Sequence, residues 1–256
     1  ALGANELRPE TSTSYTLGAT WEGERLSVTV DFYNIDIDDR FNAVSTLDVS
    51  PDPNGDPEAY ARYLALVAAG VVGAESIGGV NYFQNAYDSK TQGVDIVASM
   101  PFDIGSGATL QFAMNYNENS LESDADDFLN IEDQLDFENA DPNLRFNVSW
   151  FQELGNFSIL ARGRYFGEST NYDQSGGVIV GQQTFGETFF LDLEGTYRLG
   201  DNWTFAVGAM NILDEYPDKL DRVASDNDQC CGRTYSSGSI VPWQGGYYYG
   251  RIQVGF

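Results

Sequence analysis

Apolar and polar residues alternate with a period of two in about nine segments of this chain, as expected of strands whose successive side chains point to opposite faces. Thr13, Tyr15, Leu17, Ala19 and Trp21 make the first apolar face, and after Glu22-Gly23-Glu24 come Leu26, Val28, Val30 and Phe32. Past Phe32 the apolar residues change parity to Tyr33, Ile35 and Ile37, which a bulge or a membrane boundary explains. Further faces run through Val94, Ile96, Ala98, Met100 and Phe102; Ala108, Leu110, Phe112, Met114 and Tyr116; and Leu144, Phe146, Val148 and Trp150. Phe157 to Tyr165, Phe189 to Tyr197 and Trp203 to Ala209 repeat the pattern, and Gly250, Ile252, Val254 and Phe256 end it.

The connections alternate as well. Short turns fall near 22–24, 103–107, 154–156 and 199–202, and long polar loops near 39–82, 119–141, 168–186 and 214–244. Short turns on one rim and long loops on the other are how transmembrane β-barrels are organised, and a soluble sandwich has no reason to sort its loops this way. Trp21, Phe102, Trp150, Phe157, Tyr197, Trp203 and Phe256 sit at the short-turn ends of apolar faces, where an interfacial girdle belongs, with Tyr116 and Tyr165 at the opposite ends. One loop predicts a short helix. Asp56 is its N-cap, Pro57 its first residue, Glu58 sits in its first turn, and Gly70 ends it. No run approaches the roughly 20 apolar residues of a spanning helix, which leaves a barrel open because its lipid face takes one residue in two. The fold class is therefore all-β: an antiparallel transmembrane β-barrel, in part, with long extracellular loops.

Charge sharpens the loops. The formal charge is −26, from 39 acidic against 13 basic residues, which excludes a phosphate-neutralising nucleic-acid surface. The acids concentrate in two segments, Glu122 to Asp141 and Asp214 to Asp228, while the strand cores between them carry far fewer. Asp124, Asp126 and Asp127 are candidate calcium ligands in the first, making structural calcium in acidic extracellular loops the one metal to consider. Asp52 to Glu58 alternates oxygen ligands too, but Pro57 and Tyr63 stand where a calcium hand needs Gly and Glu. No cofactor is expected.

The chain has no histidine, so no Ser-His-Asp arrangement can form within it. Its only cysteines, Cys230 and Cys231, are adjacent and too few for a zinc site. Asp95, Arg145, Arg162, Arg164, Asp192, Glu194, Arg198 and Arg251 fall on the polar faces of strands; they read as a lumen-facing wall that meets water and other parts of the protein, not as a catalytic cluster. Tyr172, Tyr216, Tyr235, Trp243 and Tyr247 are candidates for stacking on a sugar or an aromatic ligand. An enzyme is not expected.

A closed bacterial barrel needs an even strand count, and an odd count predicts that part of the barrel precedes Ala1. Five stretches carry a family resemblance. Asn5 to Gly18 reads Asn-Glu-Leu-Arg-Pro-Glu-Thr-Ser-Thr-Ser-Tyr-Thr-Leu-Gly and resembles the L-x-P-E-x-S-x-x-Y-E-x-G stretch of TonB-dependent outer-membrane receptors, with Thr16 where Glu is usual. Leu26 to Arg40 is similar to the strand that follows in that family, and Asn85 to Asp95 to its N-x-G…G-V-E/D strand, with Tyr87 in place of the first Gly. Trp203 to Pro217 resembles the penultimate strand, ending N-L-F-D-x-x-Y, and the terminal Gly-Phe256 matches its C-terminal aromatic. The resemblance implies that residues 1–256 are the C-terminal part of a barrel of about 22 strands, with the plug domain and TonB box outside this chain. It implies energised uptake of a scarce nutrient, such as a ferric siderophore, cobalamin or an oligosaccharide, across the outer membrane of a Gram-negative bacterium. The implied partners are outer-membrane lipid and lipopolysaccharide, the N-terminal barrel and plug, TonB through that plug, and the barrel-assembly machinery that reads Phe256. A passive porin-like barrel and a secreted all-β binding module are the alternatives.

Overall fold

The computed structural model describes residues 6–221, 233–236 and 239–255. In chain order the elements are β1 (Thr11–Glu22), β2 (Ser27–Ala43), β3 (Leu47–Asp48), α1 (Pro57–Ala68), a 3₁₀ turn (Ala74–Ser76), β4 (Gly79–Val80), β5 (Phe83–Phe102) and β6 (Ala108–Leu121). Then follow α2 (Ile131–Asn139), β7 (Leu144–Leu154), β8 (Phe157–Phe166), β9 (Ser169–Ser175), β10 (Val178–Phe185), β11 (Thr188–Leu199), β12 (Trp203–Met210) and β13 (Tyr247–Val254). Nine strands form one sheet in the order β1-β2-β5-β6-β7-β8-β11-β12-β13, each antiparallel to its neighbours. This is an open arc of barrel wall whose edges are β1 and β13. No helix among the described residues is long and apolar enough to cross a membrane.

The alternation places side chains in rows across the sheet. Leu17, Phe32, Val94, Tyr116 and Leu144 pair in turn and form one outward row. Nearer the short turns, Trp21, Val28, Ala98, Phe112, Val148, Gly163 and Leu191 form another. Beyond the Phe32 row the same face turns polar, first at Asn34, Gln92 and Glu118, then at Asp36, Lys90 and Ser120. Lys90 Nζ lies 3.2 Å from Glu122 and 3.7 Å from Asp36.

This settles the parity change at Phe32. Pairing with β1 runs unbroken from Thr11↔Asp38 to Glu22↔Ser27, so no bulge interrupts the strand there. The outward face becomes polar where the strand leaves the hydrocarbon. The bulge lies further on, where the β2–β5 register shifts on either side of Arg40 and Asp39 takes φ 54°. With 17 and 20 residues, β2 and β5 far exceed the roughly 9–11 that span a bilayer. Their upper halves therefore belong to the extracellular layer, and the loop expected over 39–82 is shorter, beginning after Ala43.

Two further loops also differ from expectation. The acidic 119–141 segment contains α2, so the described residues hold two α-helices where one is predicted. Asn130 caps α2 by accepting from the Asp133 N–H at 2.8 Å, and Glu132 and Asp133 favour its first turn. The 168–186 segment is the β9–β10 hairpin, turned at Gly176 and Gly177 with φ 61° and 77°. Two successive positive φ angles define the turn type that joins twisted strands, and they require such residues. The helix α1 forms as predicted: Asp56 accepts from Glu58 N–H at 3.0 Å, and Gly70 takes φ 76° just after it.

The girdle aromatics meet in pairs at the short-turn rim. Phe102 and Trp150 lie 5.3 Å apart, Phe157 and Tyr197 4.6 Å, and Trp203 and Phe205 6.1 Å. Two small buried cores lie in the loop layer. Ala86, Tyr87, Ala125 and Leu129 make one with Phe128 and Phe137, and Val49, Leu66 and Ala74 make the other.

Candidate functional site

The loop layer is fastened to the wall at the β2 bulge, where three of the resembling stretches meet. Asn85 Nδ2 donates to the carbonyls of Arg8 (2.9 Å) and Asp39 (2.6 Å), and its Oδ1 accepts from Arg8 N–H (2.8 Å). Glu10 accepts from the Phe41 N–H at 2.7 Å, Asp88 from the Asp39 N–H at 2.8 Å, and Arg8 pairs with Asp39 at 2.8 Å. A bulge leaves backbone groups out of the ladder, and buried or half-buried groups of that kind need partners. Motif residues supply them here. Beyond the bulge, Arg40 lies over the Phe137 ring (5.3 Å) and donates to Ser89 Oγ, so the bulge leads into the core around Tyr87.

The predicted polar wall lies on one face of the sheet, opposite the apolar rows, and its members pair in small groups. Asn115 donates to Asp95 (2.8 Å) and Tyr33 (3.0 Å) and accepts from Arg145 (3.2 Å), so it bridges two predicted residues. Arg164 forms a two-pronged pair with Asp192 at 3.0 and 3.1 Å, above the fully buried Phe190 ring. Glu194 accepts from Tyr249 (2.5 Å), Arg251 (3.0 Å) and Thr196 (3.2 Å). Arg198 pairs with Glu153 at 3.0 Å, and Arg162 donates to Ser149 Oγ at 3.2 Å. Asn115, Tyr249 and Glu153 were missed in the sequence, although each shares the polar parity of its strand. Two hollows open on this face: one of about 640 Å³ beside Asp31, Asp95, Asn115 and Arg145, the other of about 370 Å³ beside Gln111, Ser149, Arg162 and Arg164. Polar, paired and open, the face suits contact with water and polar groups rather than bond-breaking.

Asp192 also accepts from the Asn211 backbone N–H at 2.9 Å, which ties the wall to the loop after β12. Asn211 is buried with φ 50°. Its amide accepts from Glu215 N–H (3.0 Å) and donates to the Glu215 (2.8 Å) and Gln244 (3.3 Å) carbonyls. Asp214, with φ 56°, accepts from Gly246 N–H (2.7 Å) and from the Tyr216 hydroxyl (3.1 Å). Asn211-Ile-Leu-Asp214 thus draws both ends of the long loop together, which explains that motif physically. The Asp214 carboxylate pushes the Tyr216 phenol above its usual range.

Among the aromatic candidates, Tyr216 stacks on Tyr235 at 6.0 Å and 8°. Tyr247 stacks on Tyr249 at 6.1 Å, and Trp243, between the two stacked pairs in sequence, stands half-exposed. Tyr172 lies apart from these rings in sequence, on β9, but the hairpin joins the same layer. Gln183 of β10 donates to the Lys219 carbonyl (2.8 Å) and accepts from Asp221 N–H (2.8 Å), and Asp218 accepts from Gly186 N–H (2.7 Å).

The acids of α2 clamp β9. Asp136 accepts from Tyr172 N–H (2.8 Å) and Glu132 from Gln174 N–H (3.0 Å), so carboxylates four residues apart on the helix meet N–H groups two apart on the strand edge. Burial raises both carboxyls above their ordinary range, against those hydrogen bonds, and the nearby charges of Asp133 and Asp173 add to it. Of the calcium candidates, Asp124 accepts from Asp126 N–H (3.0 Å), and Asp126 accepts from Gln134 Nε2 (3.0 Å). Among the described residues, no group of three or more His, Cys, Asp or Glu side chains is arranged to hold a metal ion. Phe256, Cys230 and Cys231 lie outside the described residues.

Comparison with known proteins extends this picture. The family model described as "TonB dependent receptor-like, beta-barrel" matches residues 1–212. No curated protein matches the chain. Among solved structures it is similar to the ferric enterobactin receptor PfeA of Pseudomonas aeruginosa, with TM-score 0.62 and 15% identity over 97% of this chain and 31% of that one. The copper transporter OprC gives TM-score 0.61 and 15% identity over 98% of this chain and 32% of that one. The ferric-catecholate import receptor Fiu of K12 E. coli gives 0.56 and 15%, over 97% and 28%. The chain thus spans about a third of the length of these structures, and at such identities the likeness speaks for the fold.

Proposed function

The chain belongs to the TonB-dependent receptor β-barrel family of the Gram-negative outer membrane, and from that premise we propose that it forms the C-terminal part of an energised importer. In this reading residues 1–256 supply barrel wall and extracellular ligand-facing loops, while a plug and a TonB box belong to the rest of the protein. The cargo is a scarce nutrient such as a ferric siderophore, cobalamin or an oligosaccharide. TonB, acting through the plug, would couple uptake to the inner-membrane proton gradient. Tyr172, Tyr216, Tyr235, Trp243 and Tyr247 are the rings on which cargo would stack, and the lumen wall from Asp95 to Arg251 would meet the plug.

One observation carries this reading: Asp192 joins the lumen pair with Arg164 to Asn211 at the base of the loop after β12. A wall and mouth wired to each other suit a protein that must pass cargo from loops to lumen. A passive pore needs no such link. The test is uptake by intact cells under nutrient limitation, using labelled ferric catecholate, cobalamin and maltooligosaccharide in parallel. Uptake of one of them should cease when the proton gradient is collapsed. Uptake that continues unchanged would make the protein a passive pore and overturn the proposal.

A further inference from the structure

The outward face of the wall is not evenly filled. Two glycines face outward on neighbouring strands, and they differ. At Gly163 of β8 the space is already taken: an added Cβ would lie 2.7 Å from Cζ of Phe189. At Gly195 of β11 an added Cβ would meet no heavy atom within 4 Å. Gly195 sits between Ile159 of β8 and Val207 of β12 in one cross-strand row. A trough of about 410 Å³ opens over it, walled by Ile159 and Val207 and lined toward the short-turn rim by Leu154, Phe157, Tyr197 and Phe205. The next outward row toward the membrane interior places Leu193 between the small Ala161 and Ala209.

We propose that this trough seats one acyl chain of a phospholipid from the periplasmic leaflet, with its headgroup at the turns 155–156 and 200–202. The proposal rests on the outer-membrane placement of the chain and not on its transport role. Three observations choose the occupant. The trough continues the lipid-facing rows, so hydrocarbon is the medium that meets it. Its walls are apolar and its floor is strand backbone already paired in the ladder, so nothing in it would hold a polar ligand. It also opens near the rim where short turns and paired aromatics mark the membrane interface, which sets a headgroup at the depth of Asn156 and Asn202. On the flat wall around it, lipid chains touch one side; in the trough a chain gains contacts on its flanks as well, and dispersion grows with each contacting atom pair.

The test uses the intact receptor, purified in mild detergent, loaded with palmitoyl-oleoyl phosphatidylethanolamine and weighed by native mass spectrometry. Wild type should retain a lipid that Gly195→Leu loses, a difference of one lipid per receptor, while Ala98→Leu on an unhollowed part of the same face keeps it. Heat-modifiable migration on a denaturing gel reports folding of each variant. If Gly195→Leu does not fold, Val207→Phe narrows the trough from its side and should lose the same lipid. Equal lipid counts in wild type and a folded trough variant would overturn the proposal, as would a wild-type receptor that retains none.

Discussion

The wall and the loop layer are built from one chain but folded for two solvents. In the wall, large apolar residues such as Leu17, Phe32, Val207 and Ile252 stand exposed on the outer face, and stability rests on the hydrogen-bond ladder with hydrocarbon as the surroundings. In the loop layer the order is that of a water-soluble protein, with Tyr87, Ala125, Leu129, Val49 and Leu66 buried under polar surfaces. Burial of a side chain therefore means opposite things a few rows apart along β5. Lys90 marks the border, with Val94 below it on the lipid face and Tyr87 above it in a core. Two consequences follow for mutation: on the lipid face a cavity should cost less than in the loop layer, and a charge should cost most.

The largest expected effect is Tyr87→Ala. Tyr87 is 4% exposed, packs against Phe137 at 5.7 Å and accepts from Asn42 Nδ2 at 3.2 Å. Truncating a buried aromatic costs about 3–5 kcal/mol. Here the cost should fall on the loop layer alone, so hydrogen exchange should speed up across α2 while the amides of the lower strands keep their protection. If the lower strands lost protection equally, the two regions would be one cooperative unit and the division drawn here would fail.

Below the border the complementary change is Val148→Arg. Val148 lies in the outward row between Phe112 and Gly163, well away from both rims. A basic residue on the lipid face near the midplane costs about 2–4 kcal/mol. Ser149→Arg, one residue along and facing the lumen, should cost less: it gives up the hydrogen bond from Arg162 and faces that arginine across the strands, but water receives the new charge. Denaturant titrations of the receptor folded into phospholipid vesicles measure both. Equal losses at positions 148 and 149 would mean that the faces have been assigned wrongly.

The wall was legible in the sequence because its rule is local and repeats. Period two, loop parity and rim aromatics each state the same thing about residues such as Trp21, Phe102 and Trp203, and the sheet followed the predicted strands. The loop layer was less legible for a physical reason. There, strand length ceased to be set by the bilayer, so β2 and β5 ran on past the expected boundary. Acid content masked α2, although Asn130 with Glu132 and Asp133 is a sound helix start. Gly176-Gly177 between alternating runs is likewise a hairpin signal that the membrane-length template passed over. The partners of Asp192 and Asn85 come from distant parts of the sequence, and no local pattern encodes them.

The smallest expected effect concerns pH, and it belongs to the loop layer. Burial raises the Glu132 and Asp136 carboxyls, with Asp133 and Asp173 nearby and no basic group among the causes that shift them. Freed from β9, each would titrate near its ordinary value, 4.5 for Glu and 3.8 for Asp. The docked loop then holds protons more tightly than the undocked one, so docking gains as protons bind. That gain is fully present below the ordinary carboxylate values and is lost as pH rises through the raised ones. Docking of α2 on the hairpin should thus be modestly tighter at mildly acid pH than at neutral pH, and Asp136→Asn should flatten the dependence by leaving one fewer group to titrate. Spin labels at Asn139 and Val178 would read the distance distribution across this range. A distribution that broadened on acidification, or one that Asp136→Asn left just as pH-dependent, would show that these buried carboxyls do not govern the clamp.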